Sequence, residues 1–176
     1  MKLTRTLAIA ALCLVLGVTA SAQKVTVDWD KSTNFSAFKT YVYALGTPAQ
    51  NQLMDQRIVS GVDQQLTLKG LQKVDITANP DLIVSYQAAV GSETQVNTTG
   101  TGGYGWGYRW GGGMSTTTVS QIPKGVLAVN IGDAKTHKLL WLGEARDTLS
   151  DKPEKNEKKI TNALEKMFKK YPPPAK

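Results

Sequence analysis

The sequence predicts an α+β domain: a mainly antiparallel sheet with two helices packed on it, the second C-terminal, and a long glycine-rich hairpin. Three observations predict it. Apolar residues alternate with period two in Val25–Trp29, Leu82–Val90 and Val126–Ile131, the signature of half-buried strands. Helical spacing occurs twice, at Ile58, Val62 and Leu66 and again at Ile160, Ala163, Leu164 and Met167. Between two strand-like arms lies Gly100–Gly113, reading Gly-Thr-Gly-Gly-Tyr-Gly-Trp-Gly-Tyr-Arg-Trp-Gly-Gly-Gly.

Residues 1–22 read as a secretory leader and are set apart from the fold. Lys2 and Arg5 form the charged start, Leu7–Val18 the apolar run, and Ala20-Ser21-Ala22 the small-residue cleavage site before Gln23. The apolar run is too short to span a bilayer comfortably. Cys13 lies inside it after Leu12, which is not the small residue a lipoprotein cleavage site requires. The mature chain is therefore expected to carry no cysteine, no disulfide, no thiol nucleophile and no lipid. Without Lys2 and Arg5 the formal charge falls from +7 to +5. Much of that excess sits among Lys152, Lys155, Lys158, Lys159, Lys166, Lys169 and Lys170, where Glu154, Glu157 and Glu165 intervene. That mixture reads as a solvated helix face, not a nucleic-acid footprint. The remaining length suits one domain over 23–171, followed by a Pro-rich tail at 172–176.

Taken in order, Val25, Val27 and Trp29 form a first strand. Phe35 and Phe38 are core anchors in a turn, and Thr40–Tyr43 is a short second strand. A helix is expected over Leu53–Lys69, with Leu53, Val59 and Leu68 near the Ile58–Val62–Leu66 face. Gly70 stops it, and Leu71 closes the contact that accompanies such a cap. Gly61 weakens this helix by about 1 kcal/mol relative to alanine, or permits close packing on the sheet. Asn79-Pro80-Asp81 is a turn. It introduces a strand with Leu82, Val84, Tyr86, Ala88 and Val90 on one face, running on toward Thr99. Ser115–Ile122 is the returning arm of the hairpin, and Val126–Ile131 a separate strand with Leu127, Val129 and Ile131 inward. Leu139–Leu149 is its antiparallel partner across the loop Asp133–Lys138. Asp151 is expected to cap the final helix, with Pro153 and Glu154 in its first turn. That helix should run over Pro153–Lys170. Trp29 and Trp141 stand in strand patterns and read as core.

The candidate binding residues are Tyr104, Trp106, Tyr108, Arg109 and Trp110. In an extended chain the four aromatics point to one side and Arg109 to the other. Such a comb can stack on sugar rings or pack on a partner protein, and the guanidinium can meet a carboxylate or phosphate. No catalytic residues, cofactor or metal are assigned. His137 is a single loop histidine without converging partners. Asp147, Asp151, Glu154 and Glu157 lack the ligand spacing of a calcium loop. Neither a nucleophile elbow nor a Walker-type phosphate loop accompanies the glycines.

Several blocks resemble one family of small bacterial envelope proteins, many of them lipoproteins, known as domain of unknown function 4136. The blocks are Val25–Asp30 with Phe35–Tyr41, then Asn79–Tyr86, the glycine and tryptophan stretch, Gly125–Asp133, Leu140-Trp141, Thr148–Asn156 and Met167–Pro172. The resemblance implies a periplasmic or outer-membrane-associated α+β domain and carries over no catalytic residue. The reading that results is a non-enzymatic exported envelope module binding a protein, peptidoglycan or other glycan through the hairpin. Nucleic acid is not an expected partner, and membrane contact is at most peripheral. A structural protein self-associating through the hairpin is the alternative, with an envelope hydrolase behind it. The ligand and the oligomeric state stay open at this stage.

Overall fold

The structure, a computed structural model, describes residues 23–44, 46–100 and 115–173. Its strands are β1 (Lys24–Trp29), β2 (Thr40–Tyr43), β3 (Gln72–Lys73), β4 (Leu82–Gly100), β5 (Ser115–Asp133) and β6 (Leu139–Thr148). The helices are α1 (Gln52–Leu68) and α2 (Pro153–Phe168). The strands form one sheet in the order β1-β6-β5-β4-β2-β3. β1, β6, β5 and β4 each run antiparallel to the next, whereas β2 runs parallel to both β3 and β4. A parallel pair needs a long crossover, and α1 supplies it between β2 and β3.

Both helices cover one face of the sheet, and the register decides what they meet there. One row across the inner face is Val84, Ile131, Trp141 and Trp29. The next is Tyr86, Val129, Gly143 and Val27, and the third is Ala88, Leu127, Ala145 and Val25. Side-chain bulk therefore falls from the first row to the third. Over the bulky row, Trp141 packs on Phe168 at 5.2 Å between ring centres and on Tyr171 at 5.6 Å. Tyr171 also meets Phe35 at 5.7 Å, closing this end with four rings.

α1 begins where the Asn51 side chain accepts the Met54 amide at 3.1 Å. It ends at Gly70, whose φ of 81° suits a residue without Cβ. There the Leu71 amide reaches Leu66 O at 3.0 Å and the Gly70 amide reaches Thr67 O at 2.9 Å, with Leu71 buried as expected. Ile58, Val62 and Leu66 form the buried stripe. Leu53 and Leu68 do not join it, being 62% and 71% exposed. At about 100° per residue they lie roughly 140° and 200° around the helix from Ile58 and Leu66. Gly61 permits close packing against α2, not the sheet, because a Cβ there would stand 2.6 Å from Leu164 Cδ1.

Two further expectations are corrected. Ser115–Asp133 is one continuous strand, not an arm and a separate strand. Pro123 does not interrupt it, since its carbonyl accepts Leu149 N at 2.8 Å on the β6 side. The missing N–H of a strand residue faces the same way as its carbonyl, so no bond to β4 is lost. Asp151 is exposed and does not cap α2; Lys152 holds the cap position without a side-chain bond. Asn156 braces the entry instead, accepting Ser150 N at 2.8 Å and donating to Ser150 O at 2.7 Å. Val90 shares the face of Leu82, Val84, Tyr86 and Ala88, yet is 60% exposed because the core layer ends at the third row.

Candidate functional site

The predicted binding residues Tyr104, Trp106, Tyr108, Arg109 and Trp110 lie outside the described residues. The strands that lead to them are described. β4 and β5 pair without interruption from Leu82↔Asp133 to Gly100↔Ser115. β6 leaves β5 at Thr148, opposite Lys124, and β2 leaves β4 at Val84, with one isolated bridge beyond it between Thr47 and Gln87. From Ser92↔Pro123 outward, the strand ladder of β4 and β5 is with each other alone among the described residues. At about 3.4 Å per residue this ribbon projects roughly 30 Å beyond the sheet.

The base of the ribbon is braced by Lys124, whose Nζ lies 3.3 Å from Glu93 and 2.9 Å from Thr148 Oγ1. Further out, Val96 and Val119 face each other in register and are 57% and 62% exposed. A two-stranded ribbon in water is marginal by itself and offers two edges of unpaired backbone groups.

Where the ribbon leaves the domain, an open cavity of about 590 Å³ lies between the sheet and the N-terminal halves of both helices. Its floor is the small-residue row, Ala88, Leu127 and Ala145, continued by Gly125. Met54 and Ile58 of α1, and Ile160 and Ala163 of α2, wall it. At its rim Lys159 Nζ lies 3.1 Å from Asp147 Oδ1, while Gln23 donates to Lys159 O at 2.8 Å. Sequence periodicity put Ala88 on the inner face but gave no sign of a cavity. The available signal was alanine, not a large aliphatic, at the inward positions Ala88 and Ala145.

The family profile described as Domain of unknown function (DUF4136) matches residues 25–173, most of the chain. The chain belongs to this family. A DUF4136 family protein from Bacteroides thetaiotaomicron shares its fold, with a TM-score of 0.52 at 13% identity over 85% of this chain and 96% of that one. A PDZ domain protein from Parabacteroides distasonis superposes with a TM-score of 0.57 at 19% identity over 97% of this chain. This DUF4136 chain spans 40% of the length of that protein. At such identities the likeness is one of fold. No curated protein matches the chain in sequence.

Elsewhere in this DUF4136 domain the polar side chains hold elements together. Under α1, Tyr41 donates to Asp63 at 2.7 Å and Tyr86 to Asp55 at 2.8 Å. Burial first, then the Asp55 carboxylate, pushes the Tyr86 phenol up to about 12. Tyr41 and Tyr43 are raised in the same way, by burial and then Asp63. All three stay protonated donors tying α1 to the sheet. Asp81 accepts the Lys39 amide at 2.8 Å and the Thr40 amide at 3.0 Å, which lock β2 beside β4. The Lys39 amide leads the groups that hold this carboxyl below its ordinary range. His137 is an exposed loop residue with φ of 57°. The acidic residues weighed for calcium go separate ways, Asp147 to Lys159 and Glu157 to Arg57 at 3.3 Å. Among the described residues no helix is long and apolar enough to cross a membrane.

Proposed function

We propose that this DUF4136 domain is a non-enzymatic, exported envelope module, periplasmic or associated with the outer membrane. It binds a protein or a glycan such as peptidoglycan through Tyr104, Trp106, Tyr108, Arg109 and Trp110. The observation that carries the reading is the ribbon, which leads the chain roughly 30 Å from the domain to the segment richest in aromatic residues and glycine. An extended arm serves reach, not enclosure of a reacting group. Leader-like residues 1–22 and the cysteine-free remainder support export. The test is a variant with Tyr104, Trp106, Tyr108 and Trp110 all replaced by alanine. The expected result is an unchanged melting transition with loss of glycan binding and of partner capture from envelope extracts. Unchanged binding and capture in the folded variant would overturn the proposal.

A second reading, self-association through the hairpin, is favoured by the free ribbon edges and the exposed Val96 and Val119 pair. It predicts concentration-dependent oligomers in sedimentation, abolished by Val96→Lys with Val119→Lys. A monomer at every concentration removes it.

A further inference from the structure

The cavity at the root of the ribbon has no part in the ribbon's proposed role, and its chemistry is of a different kind. We infer that it is a binding site for a single unbranched acyl chain. Its volume of about 590 Å³ lies within the roughly 300–1,000 Å³ of small-ligand pockets. It exists because of sequence and register together: Ala88 and Ala145 stand in the third row, where the first row has Val84 and Trp141. The helices cannot descend to fill the difference, since α2 is held above the sheet by Trp141 and Phe168 at the other end, 5.2 Å apart.

The lining selects the chemical class. Above the floor, the walls are aliphatic, with Met54, Ile58, Leu149 and Ile160, and no aromatic ring is among the described lining residues. A planar aromatic ligand would find nothing to stack on. A peptide would bring backbone N–H and C=O groups, each costly to bury without a partner, and none of the described polar residues lining the cavity is buried. The polar groups sit at the exposed rim, where Lys159 and Asp147 form a matched pair. Lys159 Nζ is neutralised by Asp147 at 3.1 Å, whose other oxygen faces Gln23 Nε2 at 3.4 Å. A head group would rest outside this pair, at the solvent-exposed rim that Asp151 shares. What remains is burial of methylenes, which discriminates by length.

The chain can come from a free fatty acid or from a lipid, and the titration distinguishes them. The purified protein is titrated below micelle concentrations with palmitate, octanoate and palmitoyl-lysophosphatidylcholine, read by displacement of an environment-sensitive fluorescent fatty acid. Saturable one-to-one binding is expected, tighter for palmitate than for octanoate, with up to about four-fold in affinity per added methylene that reaches the cavity. Equal binding of palmitate and the lysophospholipid identifies the chain alone as the recognised group; binding of the lysophospholipid alone assigns the source to lipid. Ala145→Leu and, separately, Ala88→Leu fill the floor and are expected to weaken binding roughly 10-fold or more, the loss of about two buried methylenes, while leaving the melting temperature unchanged or raised. The quadruple aromatic variant of the hairpin is expected to bind palmitate normally, which separates this site from the ribbon's role. Absence of saturable binding to all three ligands, or binding that both filling variants leave intact, overturns the inference.

Discussion

The two ends of the helix-on-sheet layer are built from the same strands yet packed in opposite ways. At the end where Trp29 and Trp141 pair, four rings, from Phe35, Trp141, Phe168 and Tyr171, close the space between helix and sheet. Two rows further along, Ala88 and Ala145 leave that space open as a cavity of about 590 Å³. The difference separates stability from function. A fold fastened at one end can leave its other end underpacked, because the helices are already positioned by the aromatic contacts and by the Gly61–Leu164 crossing.

If that division holds, substitutions at the closed end should cost far more than those at the open end. The largest effect belongs to Trp141→Ala, which removes a side chain with no exposed surface. A loss of about 3–5 kcal/mol is expected in denaturant unfolding; a loss below about 1 kcal/mol would show that the rings do not fasten the layer. Gly61→Val comes next, since its Cβ would stand 2.6 Å from Leu164 Cδ1. Helix separation should cost about 1–3 kcal/mol, partly recovered in the double variant with Leu164→Ala.

The contrast between ends also explains how much was legible in sequence. Strands with strict alternation, such as Leu82–Tyr86, and the helix with Ile58, Val62 and Leu66 on one stripe announce themselves because burial repeats locally. β3 passes unannounced: Gln72 and Lys73 are exposed and join the sheet only through parallel pairing with Thr40 and Tyr41. Pro123 suggests a break that never occurs because its nitrogen is turned away from β4, and Asp151 suggests a cap that Asn156 replaces from within the helix. Ala88, Leu127 and Ala145 become neighbours only through the register of three strands, so no local pattern announces the cavity. The aromatic comb of Tyr104–Trp110 is the reverse case, conspicuous in sequence and outside the described residues.

Acid should loosen the closed end. Asp30, Asp81 and Asp133 flank it, and each carboxyl is held below its ordinary value of 3.8, chiefly by the Lys138 side chain, the Lys39 amide and the Thr136 amide respectively. With folded values depressed, their stabilisation is complete above about pH 4 and is lost as pH falls through those values. Asp81→Asn is expected to cost about 1 kcal/mol at pH 7, a modest figure because solvent reaches the site. Its unfolding midpoint should converge with wild type as pH falls through the depressed carboxyl value; curves that stay parallel into acid would dismiss the carboxylate's role.

A smaller effect of opposite sign is expected for Tyr171→Phe. The Tyr171 hydroxyl is buried with no hydrogen-bond partner among the described residues. Removing it should be neutral or stabilising by up to about 1 kcal/mol. At the open end, Met54→Ala should cost under about 1 kcal/mol, because that side chain borders a cavity and leaves no closed void. A loss comparable to Trp141→Ala would erase the distinction between the ends.

The most direct measurement is methyl NMR of the alanine, isoleucine, valine and methionine groups during titration with palmitate. A ligand site at the open end predicts saturable shifts at Ala88, Ala145, Ala163, Met54 and Ile160, with Val84 and Ile131 at the closed end unmoved. Shifts confined to Val96 and Val119 on the ribbon, or none at the open end, would contradict it.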